Sequence, residues 1–310
     1  MKIAYAGAPA FSVSPLRAIL EAGYPVSAVI TQPDKPVGRK GVLTPTPLKA
    51  FAAERGIPVY TFPKIRDCAD EVRAIGADVL VTCAYGQILT QEILDAFLQG
   101  VYNIHASLLP RWRGASPIQH AILAGDRVTG VTIMRTDIGL DTGDMLRVGE
   151  TTISDEDTAE TLALRLADLG GKLIVEALKD LEAGRAVFTK QNEDTATLCK
   201  KIKKEDCVLD FEKSADELCR LIRAMNPEPL AFTRLHGKLV NVFFAEALDD
   251  NAAGAIGEVV RADKTGIYVK AGAGILKIAQ MQLEGGKKLS ACDLVNGRKV
   301  VVGDVFGSEA

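Results

Sequence analysis

Asn103 and His105, two residues apart in the stretch from Val101 to Gly114, are the side chains whose types and spacing could do chemistry. Val101 to His105 is β-branched and apolar enough to form a strand, and strand alternation puts Asn103 and His105 on one face of it, just before the run that starts at Ser107. In an open α/β sheet, ligands bind beyond the carboxyl ends of the strands, where this pair sits. A side-chain amide and an imidazolium are both donors. Two donors converging on one point are what a carbonyl oxygen needs as it takes up negative charge. The bland alternative, a hydrogen-bonded histidine in the core or on the surface, stays open on spacing alone.

A second polar cluster runs from Asp137 to Asp144, with aspartates at 137, 141 and 144 and glycines at 139 and 143. Turn residues account for such a composition. A calcium loop does not, because Gly139 stands at the third ligand position and Val148 where the bidentate glutamate belongs. The functional alternative is a carboxylate placed near His105, orienting the ring and assisting proton transfer. A third patch is basic: Lys35, Arg39, Lys40 and Lys49 follow Asp34 with no acid before Glu54, and Pro36, Gly38, Gly41, Pro45 and Pro47 interrupt them. This reads as a long irregular loop, either a solvated connector or a contact for a phosphate-rich acceptor.

Three common templates fail. Gly7 to Phe11 follows the first strand without a G-x-G-x-x-G, which argues against a nicotinamide dehydrogenase. Gly114 to Ile118 lacks the second glycine of a nucleophile elbow, and no Walker A sequence is present.

The elements that must position these residues alternate. Strand-like runs at Lys2 to Ala6, Val26 to Thr31, Val79 to Ala84 and Val101 to His105 are separated by helical stretches at Pro15 to Ala22, Leu48 to Arg55 and Gln91 to Phe97. That order predicts an α/β domain with a doubly wound, parallel sheet. Thr158 to Glu182 carries leucines at helical spacing and predicts a long closing helix, weakened in its middle by Gly170 and Gly171. Gly184 to Asp206 is polar and reads as a linker. Beyond it, one helix at Ser214 to Ala224 is followed by strand-like runs at Val240 to Glu246, Ile256 to Arg261, Gly266 to Val269 and Ile275 to Gln282, the rhythm of a small barrel or sandwich.

With 310 residues the length favours two domains, and 47% hydrophobic with 25% charged residues is an ordinary globular balance. The apolar run at the start meets Gly7 too soon for a signal peptide or a membrane span, so secretion is not expected. The six cysteines form no C-x-x-C pair, which argues against zinc and fits a reducing compartment. A net charge of −3 leaves any nucleic-acid binding to local basic patches.

At these residues the chain resembles the methionyl-tRNA formyltransferase family. The matching segments are Ala6 to Pro9, Gln32 to Arg39, Ala84 to Gly86, Asn103 to His105, Ser107 to Gly114, Gly130 to Met134 and Gly139 to Asp144, and they extend over essentially the whole chain. Ala8 and Ala10 stand where the family has threonine and an acidic residue. The resemblance implies that residues 1–188 form a Rossmann-like formyltransferase domain, 189–207 a linker and 208–310 a small OB-like β-barrel that contacts tRNA. It implies a cytoplasmic enzyme of translation initiation that moves the formyl group of 10-formyltetrahydrofolate onto the α-amine of initiator methionyl-tRNA. No metal, membrane or obligate protein partner is expected. Asn103, His105 and Asp141 would be the catalytic set. Ser107, Leu108, Leu109 and Pro110 would border the reduced folate, and the loop with Lys35, Arg39 and Lys40 would meet the tRNA. Two rivals are a relative acting on an amino-sugar nucleotide and a non-catalytic RNA-binding protein.

Overall fold

The structure, a computed structural model, describes residues 1–38, 41–250 and 252–307, and the chain divides into two compact units. Arg39 and Lys40 lie outside the described residues. Unit 1 comprises Met1–Pro117, Val128–Thr152 and Ala163–Lys200; unit 2 comprises Ile118–Arg127, Ile153–Leu162 and Lys201–Ala310.

In unit 1 the strands are β1 (Ile3–Gly7), β2 (Val26–Thr31), β3 (Lys35–Val37), β4 (Val42–Thr44), β5 (Val59–Thr61), β6 (Val79–Cys83), β7 (Val101–His105), β8 (Arg113–Gly114), β9 (Val128–Arg135), β10 (Met145–Thr152) and β11 (Leu198–Cys199). Seven of them form one sheet in the order β10-β9-β7-β6-β1-β2-β5. The five strands from β7 to β5 are parallel, in the doubly wound order, and β9 and β10 extend the β7 edge as antiparallel strands. The sheet is therefore mixed. β1 and β6 are buried along their whole length, which is why they read from sequence as short continuous apolar runs. β5 is three residues long and mostly exposed, and carries no such signal.

Helices α1 (Val13–Glu21), α2 (Pro47–Ala53), α3 (Ala69–Ala74) and α4 (Gln91–Leu94) lie in the connections, followed by α5 (Pro117–Ala124) and α6 (Ala159–Glu182). α6 runs unbroken through Gly170 and Gly171, where the sequence predicts weakness. The reason is packing. A Cβ on Gly170 would stand 2.8 Å from Ile104 Cγ2 of β7, and one on Gly171 3.0 Å from Ala18 Cβ of α1. Close approach to the strand that carries Asn103 and His105 outweighs the helix-propensity cost of about 1 kcal/mol per glycine.

The basic stretch after Asp34 is not an irregular loop. β3 and β4 pair antiparallel as a hairpin, with Lys35 opposite Thr44. Thr46 then caps α2 by accepting a hydrogen bond from Lys49 N, with Pro47 in the first turn. Lys49 therefore lies on a helix, and its Nζ pairs with Asp34 at 2.7 Å, leaving it no part of a free basic patch.

Unit 2 contains α7 (Ala215–Ala224), the antiparallel strands β12 (Ala231–Leu235), β13 (Lys238–Leu248), β14 (Val259–Asp263), β15 (Gly266–Lys270), β16 (Ile275–Leu283) and β17 (Lys288–Ser290), and α8 (Ala291–Asn296). Their order is β12-β13-β16-β15-β14, with β17 also on β16. Two bridges, Leu235 to Phe306 and Glu258 to Val305, join the last described residues to both ends of that order, so the sheet closes on itself. Val240, Val242, Ile267, Leu276, Ile278 and Met281 alternate inward to form its core. No helix among the described residues is long and apolar enough to cross a membrane.

Candidate active site

The carboxyl end of β7 brings Asn103, His105 and Asp141 together. Thr82, the parallel neighbour of Asn103 on β6, donates from Oγ1 to Asn103 Oδ1 at 3.0 Å. The hydroxyl could serve either end of the amide, but the Asp141 carboxylate on the other side can only accept, and that settles which way the amide points. Nδ2 is left to donate, and it lies 3.4 Å from Asp141 Oδ1.

His105 is 5% exposed. Its Nε2 stands 3.0 Å from the Trp112 carbonyl, which can only accept, so Nε2 carries a hydrogen. Nδ1 is then the nitrogen at which a proton comes and goes, and it faces Asp141 Oδ2 at 3.7 Å. That distance is too long for a hydrogen bond, and the two groups form an ion pair only when the ring is protonated. Asp141 Oδ2 also accepts from the Gly114 backbone N–H at 2.9 Å. One carboxylate therefore sits between the amide and the imidazole, in a residue whose φ of 54° belongs to a turn.

Ser107, Leu108, Leu109 and Pro110 continue directly from β7. Ser107 is fully buried and its hydroxyl donates to the Arg111 carbonyl at 2.6 Å, so it shapes the loop. Thr132 of β9 ties the same loop down, donating to Ser107 O and accepting from Leu109 N. Leu109 is buried; Leu108 and Pro110 are partly exposed. Lys35 is exposed at the start of the hairpin.

Sequence reasoning missed the supports. Thr82 was findable in principle, since it is Asn103's register partner once β6 and β7 are paired. The others carry no local signal. Residues 189–199, in the stretch read as a linker, lie along the site. Thr189 and Met145 exchange both backbone hydrogen bonds, β11 pairs with β8, and Thr197 binds the backbones of Pro110, Trp112 and Arg113. Arg113 is nearly buried and forks onto Glu193 at 2.7 and 2.8 Å. That fork raises the guanidinium pKa and lowers the Glu193 carboxyl below its ordinary value. No cluster of three or more potential metal ligands occurs among the described residues.

The family model described as Formyl transferase matches residues 1–178, and Formyl transferase, C-terminal domain, matches 201–299. The chain belongs to the formyl transferase family. Among similar family members, a protein of Coxiella burnetii named methionyl-tRNA formyltransferase is 45% identical over 99% of both chains. One of the same name from Methylobacillus flagellatus is 45% identical over 99% of this chain and 100% of its own. Solved structures share the formyl transferase fold at lower identity. HypX of Aquifex aeolicus in complex with tetrahydrofolic acid superposes with a TM-score of 0.66 at 19% identity, covering 97% of this chain and 48% of that longer one. An N-formyltransferase of Helicobacter canadensis, in complex with folinic acid and dTDP-3-aminofucose, gives 0.67 at 20% identity over 90% and 99%.

Proposed function

We propose that the chain transfers the formyl group of 10-formyltetrahydrofolate to the α-amino group of initiator methionyl-tRNA, in the cytoplasm, giving the formylated tRNA for translation initiation. The observation that carries this is the locked Asn103 amide, its Nδ2 and His105 Nδ1 both facing the Asp141 carboxylate, in a chain 45% identical from end to end to proteins of that name.

The donor set fits a formyl group: one amide N–H and one imidazole on the same side of a strand end suit a carbonyl oxygen that gains charge. The unprotonated α-amine attacks the formyl carbon carried by the reduced folate, the bond from that carbon to N10 breaks, and the proton lost by the amine ends on N10. Asn103 Nδ2 donates to the formyl oxygen. His105, held through its Nε2–H by the Trp112 carbonyl, carries or releases a proton at Nδ1. Asp141 steadies that proton by charge and keeps the ring and the amide at a common focus. The chemistry uses neither a metal ion nor a covalent enzyme adduct.

Ser107 to Pro110 border the folate, Leu108 and Pro110 by their side chains and Ser107 and Leu109 by their backbone. Lys35, Arg39 and Lys40 meet the tRNA. Residues 1–188 act as the catalytic domain, 189–207 connect, and 208–310 form a tRNA-contacting domain; the matched spans 1–178 and 201–299 support that division. The test is a formylation assay with 10-formyltetrahydrofolate and three acceptors: initiator methionyl-tRNA, free methionine and an amino-sugar nucleotide. Formylation of the charged tRNA alone is expected. Equal use of the sugar nucleotide would overturn the acceptor, and no formylation of any acceptor would overturn the reaction.

A further inference from the structure

Asp141 is held by its backbone as well as by its carboxylate. The Gln191 side-chain amide donates from Nε2 to the carbonyl of Asp141 and to that of Gly143, each at 2.8 Å. Its Oε1 accepts from Arg113 Nε at 2.9 Å. Two carbonyls can only accept and a guanidinium can only donate, so the amide has one orientation and all three of these bonds are made. Arg113 in turn is fixed by its fork onto Glu193. It is also the residue before Gly114, whose N–H binds the Asp141 carboxylate. Both grips on Asp141, at the main chain and at Oδ2, thus lead back to Arg113. Gln191 and Glu193 lie between the two matched spans, which end at 178 and resume at 201.

We infer that Gln191, anchored by Arg113 and Glu193, is a positioning residue for Asp141. It clamps the 141–143 backbone so that the carboxylate stays between Asn103 and His105. The inference rests on the proposed role of Asp141. Asp141 occupies the left-handed region at φ 54°, a conformation a non-glycine residue holds only when its surroundings impose it. The two hydrogen bonds from Gln191 are part of that imposition.

The test is a double-mutant cycle in the formylation assay, pairing Gln191→Met with Asp141→Asn. Methionine keeps the length and removes all three hydrogen bonds. Gln191→Met alone should lower kcat about tenfold or more, the scale of one or two lost hydrogen bonds. KM for folate and for tRNA should stay within twofold, because the clamp touches neither substrate. In the Asp141→Asn background the same change should cost little, since what it positions is already disabled. Glu193→Gln, altering an exposed side chain, should lower kcat in the same direction and by less, with thermal melts recording the stability that loss of the ion pair costs. Equal fold-losses from Gln191→Met in both backgrounds would overturn the inference, as would unchanged kcat in Gln191→Met and Glu193→Gln together. If Asp141→Asn were impaired under either of those outcomes, only the positioning inference would fall. Full turnover in Asp141→Asn would remove the reading of the site and the inference with it.

Discussion

Asn103 and His105 are held by identifiable partners, one at each polar atom, so their proposed roles can be separated one atom at a time. His105→Ala and Asn103→Ala should each lower turnover by about a hundredfold or more, the loss typical of removing one donor to a developing oxyanion. Circular dichroism and thermal melts should show the fold retained, and near-normal turnover would take the residue out of the mechanism. Thr82 offers a finer probe because its hydroxyl reaches the amide's far end, with the Tyr102 carbonyl 3.4 Å away as its other partner. Thr82→Val keeps the shape but frees Oδ1, letting the amide turn over, and should lower kcat about tenfold for one lost hydrogen bond of about 1 to 1.5 kcal/mol. Thr82→Ser should restore most of it, and failure of serine to rescue would point to packing instead. The Glu193 carboxyl has a definite pH sign. Its lowered pKa means that its pairing with Arg113 stabilises the fold above the ordinary carboxylate range, and that this is lost as pH falls through the lowered value.

At the level of elements, the site depends on how closely α6 lies on β7. Gly170→Ala would place a methyl 2.8 Å from Cγ2 of Ile104, the residue between Asn103 and His105. Although alanine is the better helix former, the substitution should destabilise the protein by about 1 to 3 kcal/mol through overpacking, and lower kcat by shifting β7. A rise in melting temperature would show that the helix yields and that the glycine is there for another reason. The elements also divide by how they announce themselves. β1, β2, β6 and β7 are buried and apolar, and were legible as runs. β10 lies at the sheet's edge with a broken burial pattern and was not. β3 and β4 are three residues each in a segment rich in proline, glycine and lysine, and they looked like loop because each pairs only with the other, at a largely exposed site. β8 and β11 are two residues each, below any periodic signal, yet they bring Gly114 beside Asp141.

The molecule as a whole carries a net charge of −3, so attraction to a polyanion must be local. With Lys49 paired to Asp34, the tRNA contact proposed for this basic stretch is left to Lys35, Arg39 and Lys40. Arg39→Ala should weaken productive use of methionyl-tRNA and make it less sensitive to salt than the wild type, because fewer counterions are released. Folate KM should not change, and a mutant with normal tRNA use and an unaltered salt slope would remove the hairpin from acceptor binding. The amino-acid sequence by itself determined the class of fold, the face shared by Asn103 and His105, and a carboxylate cluster at 137–144, because strand periodicity and turn composition are local properties of the chain. Motif resemblance then singled out Asp141 within that cluster. Tertiary structure alone decided which atom of each residue works. The direction of the Asn103 amide depends on the Asp141 carboxylate, the proton-bearing nitrogen of His105 on the Trp112 carbonyl, and the seat of Asp141 on Gly114 and on Gln191, fifty residues further along. Hydrogen-bond partners brought together by folding leave no periodicity in the sequence, so they become visible only when the strands that carry them are paired.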